Sequence, residues 1–201
     1  MYPLKSVLIA TLVLLSAFTA QFNKPQITKW VILKGGALKV NGSTNINKFN
    51  CEITSYSNPD TVVIYRKPGD ETIPVKGSLV LDIDNFDCHN PVMTSDLRKT
   101  LKAKTNPRLV VKFLDLQKYP QLTDGAEVIQ GTVAIEMAGV SRRFCVDYKF
   151  QSLGDNVITL HASRQVNFSD FNIVPPRKIG GMIQTDNQLS VAFNLHIKVI
   201  N

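Results

Sequence analysis

Two stretches of the chain hold the residues that could do chemistry. One ends at Cys51, in the run Val40 to Cys51, and the other spans Phe86 to Met93, with Cys88 at its centre. Each cysteine lies two residues after a phenylalanine, Phe49 and Phe86. Residues two apart on an extended strand share a face, so each thiol should point the way its phenylalanine does. Two thiols aimed at one interior in an oxidising compartment give a disulfide, Cys51–Cys88, rather than a metal or redox site. Asp82, Asp84, Asp87 and His89 are the nearest approach to a metal or acid–base cluster. They lack a calcium-loop pattern and paired histidines at ligand spacing, so they read as a solvated strand edge, and no metal is expected. Cys145 shares parity with Asp147 and Lys149 and reads as an outward-facing free thiol. His161 and His196 are single histidines on outer faces. No nucleophile elbow, phosphate loop, H-E-x-x-H or C-x-x-C occurs, so no catalytic residue is assigned and catalysis is not expected.

The amino terminus supports the oxidising compartment. Lys5 precedes the apolar run Val7 to Leu15, and Ser16-Ala17-Phe18-Thr19-Ala20 offers small residues for cleavage after Thr19 or Ala20. Residues 1–20 are therefore expected to be a signal peptide and 21–201 a single domain, periplasmic or secreted. No cysteine follows the apolar run, so an amino-terminal lipid anchor is not expected, and no later segment is long and apolar enough to span a bilayer.

The chain is 44% hydrophobic and 19% charged, a globular rather than a disordered composition. Its net charge of +7 is scattered apart from Lys99, Lys102, Lys104 and Arg108. No basic stripe interleaves with aromatics, so nucleic acid is not an expected partner. Transient contact with an anionic membrane surface or with acidic polymers remains compatible with this charge.

The elements that must position these residues are strands. Leu79, Leu81 and Ile83 alternate with mostly polar residues, as do Leu109, Val111 and Phe113; Phe144, Val146, Tyr148 and Phe150; Ile158, Leu160 and Ala162; and Leu189 through Val199. Such alternation marks antiparallel strands with one buried and one wet face. Turn signals fall at Asn58-Pro59-Asp60, Lys67-Pro68-Gly69-Asp70, Thr123-Asp124-Gly125 and Gly154-Asp155-Asn156. One stretch departs from period two: Met93, Leu97 and Leu101, spaced by four, define a short amphipathic helix within 91–104, capped by Asn90 or Thr94. The Pro- and Gly-rich stretch Val174 to Met182 reads as a long loop. About eight strands with one helical insertion suggest an all-β, closed antiparallel barrel.

Three stretches carry a family resemblance: Val40 to Cys51; Phe86 to Leu97 with Thr100 to Phe113; and Val166 to Pro176 before the last alternating run. In order and spacing they resemble the YceI-like proteins, over roughly Leu38 to Val199, and the paired cysteines resemble a subgroup common in Bacteroidetes. The resemblance implies a lipocalin-like barrel that carries an amphiphilic lipid, a polyisoprenoid or an isoprenoid quinone, with a fatty acid as a further possible ligand and no cofactor. Phe49, Leu81, Phe113, Ile135, Phe144, Tyr148, Leu160, Phe168, Phe193 and Leu195 would then point inward and line its tunnel. The same period-two pattern is equally compatible with a packed core. The rival reading is a non-catalytic structural or adhesion module that meets acidic envelope polymers through its basic surface.

Overall fold

The computed structural model describes residues 25–56, 58–121 and 125–200. The expected signal peptide, 1–20, lies outside the described residues. Twelve strands form: β1 (Gln26–Ile32), β2 (Gly36–Ser43), β3 (Lys48–Tyr56), β4 (Thr61–Arg66), β5 (Ile73–Asp82), β6 (Arg108–Leu116), β7 (Ala126–Met137), β8 (Val140–Gly154), β9 (Val157–Asn167), β10 (Arg177–Lys178), β11 (Ile183–Gln184) and β12 (Gln188–Ile200). The single α-helix among the described residues, α1 (Pro91–Thr100), lies between β5 and β6.

Eight strands close a circuit in the order β1-β4-β5-β6-β7-β8-β9-β12, with β12 pairing back onto β1 through Trp30↔Val199 and its neighbours. Every pairing is antiparallel, and the result is a lipocalin-like barrel of the kind the alternating pattern predicts. β2 continues the path of β1 along the same side of β12, with Asn194↔Ala37 following Ile197↔Ile32. β3 lies outside β2, so on this side β2 and β3 wall the upper half where β1 and β4 wall the lower half.

Local chemistry explains the turns. Ala138 and Gly139 have φ of 52° and 82°, and Asp155 and Asn156 have φ of 50° and 58°. Two consecutive positive values make the two-residue turns whose twist suits hairpins. Asn90 caps α1: its side-chain oxygen accepts from the amides of Val92 (2.9 Å) and Met93 (3.1 Å), and Pro91 opens the first turn. Arg98 and Lys99 lie in the last turn, where cations suit the helix dipole. Leu97 and Leu101 are buried against the barrel, and Met93 packs partly on it. Gly131 faces a bulge in β6, where a Cβ would stand 2.4 Å from the Asp115 carbonyl oxygen and 2.8 Å from the Tyr148 ring. Only glycine fits there.

The structure corrects three local readings. The stretch 174–182 is not a plain loop, because β10 and β11 pair as a short hairpin around a 3-10 turn, Ile179–Gly181. Ile83 is buried as its parity predicts, but it sits in a 3-10 turn, Ile83–Asn85, because β5 ends at Asp82. Thr159, on the face expected to be wet, is 7% exposed, and its hydroxyl lies 3.5 Å from the Gln151 carbonyl oxygen.

Candidate functional site

The wall of the upper barrel is interrupted between β3 and the stretch that follows β5. No ladder joins them. Their closure combines the Cys51–Cys88 disulfide with one antiparallel bridge, Glu52↔Asp87, whose two backbone hydrogen bonds measure 2.8 and 2.9 Å. Further along the seam, the Tyr56 hydroxyl donates to the Asp60 carboxylate and accepts from the Val80 amide at 3.2 Å. Burial, followed by that donation to Asp60, pushes the Tyr56 hydroxyl up to about 12. Arg98 donates to the carbonyls of Asp84 and Phe86, which ties α1 to the same edge.

The acidic cluster is dispersed along this seam. Asp82, Asp84, Asp87 and His89 are exposed. Asp84 meets Arg98 at 3.6 Å, the Asp87 carboxylate accepts from the His89 amide, and His89 Nε2 lies 3.1 Å from Glu52. Among the described residues, no group of three or more His, Cys, Asp or Glu is arranged to hold a metal ion. Cys145 is exposed and unbridged on β8.

Inside the barrel the two halves differ. In the lower half, Trp30, Phe113, Tyr148, Leu160 and Leu195 surround a void with only about 10 Å³ open to the centre of a water-sized sphere. Trp30 packs edge-on to Phe150 at 5.5 Å and tilted to Tyr119 at 6.1 Å, and Arg66 stacks 3.8 Å over the Tyr119 ring. This end is plugged. The Tyr148 hydroxyl and the Trp30 indole N–H are buried there without a hydrogen-bond partner among the described residues. Burial, and secondarily the charges of Asp115 and Cys145, pushes the Tyr148 hydroxyl far above the ordinary phenol range.

The upper half holds an apolar void with about 50 Å³ open to the same sphere, lined by Leu38, Val40, Leu97, Leu101, Ile135, Leu189 and Phe193 among others. Outside it, between α1, the β2–β3 hairpin and the β10–β11 hairpin, lies a larger cleft of about 330 Å³. Phe49, Met93, Phe168 and Ile183 line the cleft, with Asn47, Asn90, Asp96 and Lys178 as polar members. Val40, Leu97 and Leu189 line both spaces. These three side chains are the partition between cleft and void.

The inward residues expected from the sequence therefore divide among compartments. Phe49 and Phe168 belong to the cleft, and Ile135 and Phe193 to the upper void. Phe113, Tyr148, Leu160 and Leu195 belong to the plugged lower half. Leu81 is buried in the core and borders none of these spaces, while Phe144 stacks on Phe171 at 6.0 Å. Sequence reasoning identified the helical stripe Met93, Leu97 and Leu101 but did not give it to the lining.

It also missed Arg164, the one charged residue in the wall of the upper void. Arg164 follows Leu160 and Ala162 on the inward parity of β9, a signal present in the sequence. The β8–β9 ladder ends at Asp147↔Ser163, although β8 continues along β7 to Val140 and β9 continues along β12 to Asn167. Arg164 stands where the two strands part. It is exposed, and because the void it borders is apolar, its aliphatic stem forms wall while its guanidinium reaches outward. Among the described residues, Arg164 has no ion-pair partner.

A closed antiparallel barrel with a helix over one end and an apolar upper interior is a lipocalin-like architecture. Among solved structures, the chain is similar to BcnA of Burkholderia cenocepacia, with TM-score 0.60 and 12% identity over 83% of this chain and 96% of that one. It is similar to the same degree, TM-score 0.60 and 10% identity over 86% of this chain and 99% of that one, to a polyisoprenoid binding domain from Saccharophagus degradans implicated in plant cell wall breakdown. These likenesses establish the fold. No family model matches the chain, and no curated protein matches it in sequence.

Proposed function

We propose that the protein is an exported, non-catalytic YceI-like carrier of an amphiphilic lipid, an isoprenoid chain with a small polar head. The observation that carries this reading is the adjacency of two spaces: a cleft with polar margins and an apolar void share a partition of only three aliphatic side chains, Val40, Leu97 and Leu189. The chain would pass the partition and the head would stay in the cleft, near Asn47, Asn90 and Lys178. The void as it stands is too small for a long chain, so entry requires Leu97 and Leu189 to change rotamer and α1 to shift outward. At ~25 cal/mol per Å², burying about 300 Å² of such a chain supplies roughly 7 kcal/mol before the cost of association, and each further 100 Å² buried adds about 2.5 kcal/mol toward the ~8 kcal/mol net of a micromolar affinity. The polyisoprenoid binding domain with this fold supports the ligand class. The disulfide and the apolar amino-terminal run support residues 1–20 as a signal peptide, residues 21–201 as the mature domain, and a periplasmic or extracellular location.

Titration with a long-chain isoprenoid alcohol tests the reading. The native protein should bind saturably, and Leu97→Trp, which fills the partition, should weaken binding by about tenfold or more while the barrel remains folded. Equal binding by both proteins would refute the proposed path. A steep loss of binding with salt would instead favour polymer binding on the basic surface.

A further inference from the structure

The rim of the cleft presents aliphatic side chains to water. Among the described residues nine large hydrophobics are exposed, and four of them, Ile46, Val92, Ile179 and Met182, stand on the three segments that surround this one opening. Ile46 is at the tip of the β2–β3 hairpin and is 66% exposed; Val92 is in the first turn of α1 and is 69% exposed. Ile179 and Met182 flank Gly180-Gly181 at the tip of the β10–β11 hairpin, at 67% and 73%.

The three segments form one surface. The Asn45 side chain donates to the Met182 carbonyl at 2.9 Å and accepts from the Gln184 amide at 3.0 Å, joining the two hairpins. Lys178 pairs with Asp96 of α1 at 2.7 Å. Ile179 adds an independent observation. Its φ is +52°, a left-handed conformation that disfavours a β-branched residue. The side chain is nonetheless two-thirds exposed, so little burial within the molecule offsets that conformation. A strained aliphatic tip held in water fits a surface that meets an apolar medium. Exposed Arg177 and Lys48 stand on the same two hairpins, and among the described residues neither has an ion-pair partner.

We infer that this rim docks on an anionic bilayer, with Ile46, Ile179 and Met182 entering the interfacial layer and the free cations facing lipid phosphates. The inference extends the carrier reading, since docking would set the cleft against the membrane that supplies its lipid. Shallow burial of aliphatic tips together with cation attraction is the usual physics of reversible interfacial binding.

Flotation with vesicles of phosphatidylethanolamine containing a minor share of phosphatidylglycerol tests the inference. The native protein should float with these vesicles, and more weakly with pure phosphatidylcholine. Ile179→Gly combined with Met182→Ser should reduce partitioning by about tenfold, as should Ile46→Ser in part. Ile179→Gly should not lower the melting temperature, because glycine accepts the left-handed backbone. No flotation of the native protein, unchanged flotation of the double variant, or a lowered melting temperature in Ile179→Gly would each overturn the inference. A water-dispersed isoprenoid alcohol separates the two readings. If the double variant binds it like the native protein and fails only on vesicles, both stand. If neither protein binds it while the native one still floats, the carrier reading fails and the docking surface remains.

Discussion

Replacing both seam cysteines, Cys51→Ala with Cys88→Ala, should destabilise the barrel by an amount that follows from the chain between them. The bridged residues are 37 apart. Closing a loop of that length in the unfolded chain removes entropy worth about 4 kcal/mol at room temperature. For a domain of this size, each kcal/mol moves the melting temperature by roughly 2–4 °C, so the variant should melt about 8–15 °C lower. The local contacts give no reason to expect much less. Apart from the disulfide, this seam has the two hydrogen bonds of the Glu52↔Asp87 bridge, the His89–Glu52 contact at 3.1 Å, and the Tyr56 and Asn58 contacts to Val80. Both cysteines are buried, at 0% and 5% exposure, so mild reductant should leave the native bond intact and the substitutions are the cleaner perturbation. The assay is thermal unfolding of native and variant protein side by side, with thiol counting by mass spectrometry in unreduced denaturant. One free thiol, Cys145, is expected. A variant that melts within a degree or two of the native protein would show that the seam is held without the disulfide, and the closure account would be wrong.

Three further outcomes follow from particular side chains. Tyr148→Phe removes a buried hydroxyl with no partner among the described residues, so stability at neutral pH should be unchanged or rise by about 1 kcal/mol, as read by denaturant unfolding. Because burial raises the Tyr148 hydroxyl in the folded state, its contribution to stability is complete below the unfolded phenol value near 10 and is lost as pH rises toward the folded value. The native protein should therefore lose up to about 1.4 kcal/mol more per pH unit above pH ~10 than Tyr148→Phe does, a difference that alkaline unfolding curves would reveal. Asn90→Ala removes the cap of α1 and should cost about 1 kcal/mol in thermal or denaturant unfolding.

Much of this architecture was legible because strand parity is local information. The alternation from Leu189 to Val199 and the stripe Met93, Leu97 and Leu101 each mark an element by its own side chains. Pairing is not local, and there the reading stopped. Nothing within β1 or β2 says that both lie along the same side of β12, and nothing in β8 says that β9 leaves it beyond Asp147. The bulge between Phe113 and Asp115 shifts the β6 parity, so Leu116 is buried where simple alternation would point position 115 inward. Parity also separates in from out without separating void from core. Ile135 and Leu160 have the same pattern, yet one borders the upper void and the other packs in the plugged lower half. Arg164 was hidden for a related reason. A charge breaks the apolar pattern of β9, so it ended the inward run when read as sequence, although its position continues that run.

The most direct test of the carrier account is native mass spectrometry of the protein purified under gentle conditions from the envelope of its own host. The account predicts an added mass, one per chain, that leaves on collisional activation and is recovered in organic solvent as an isoprenoid lipid. It also predicts that Leu97→Trp, prepared identically, has lost most of that mass. A native protein that is folded, disulfide-bonded and free of lipid, and that takes up none when isoprenoid is supplied, would contradict it.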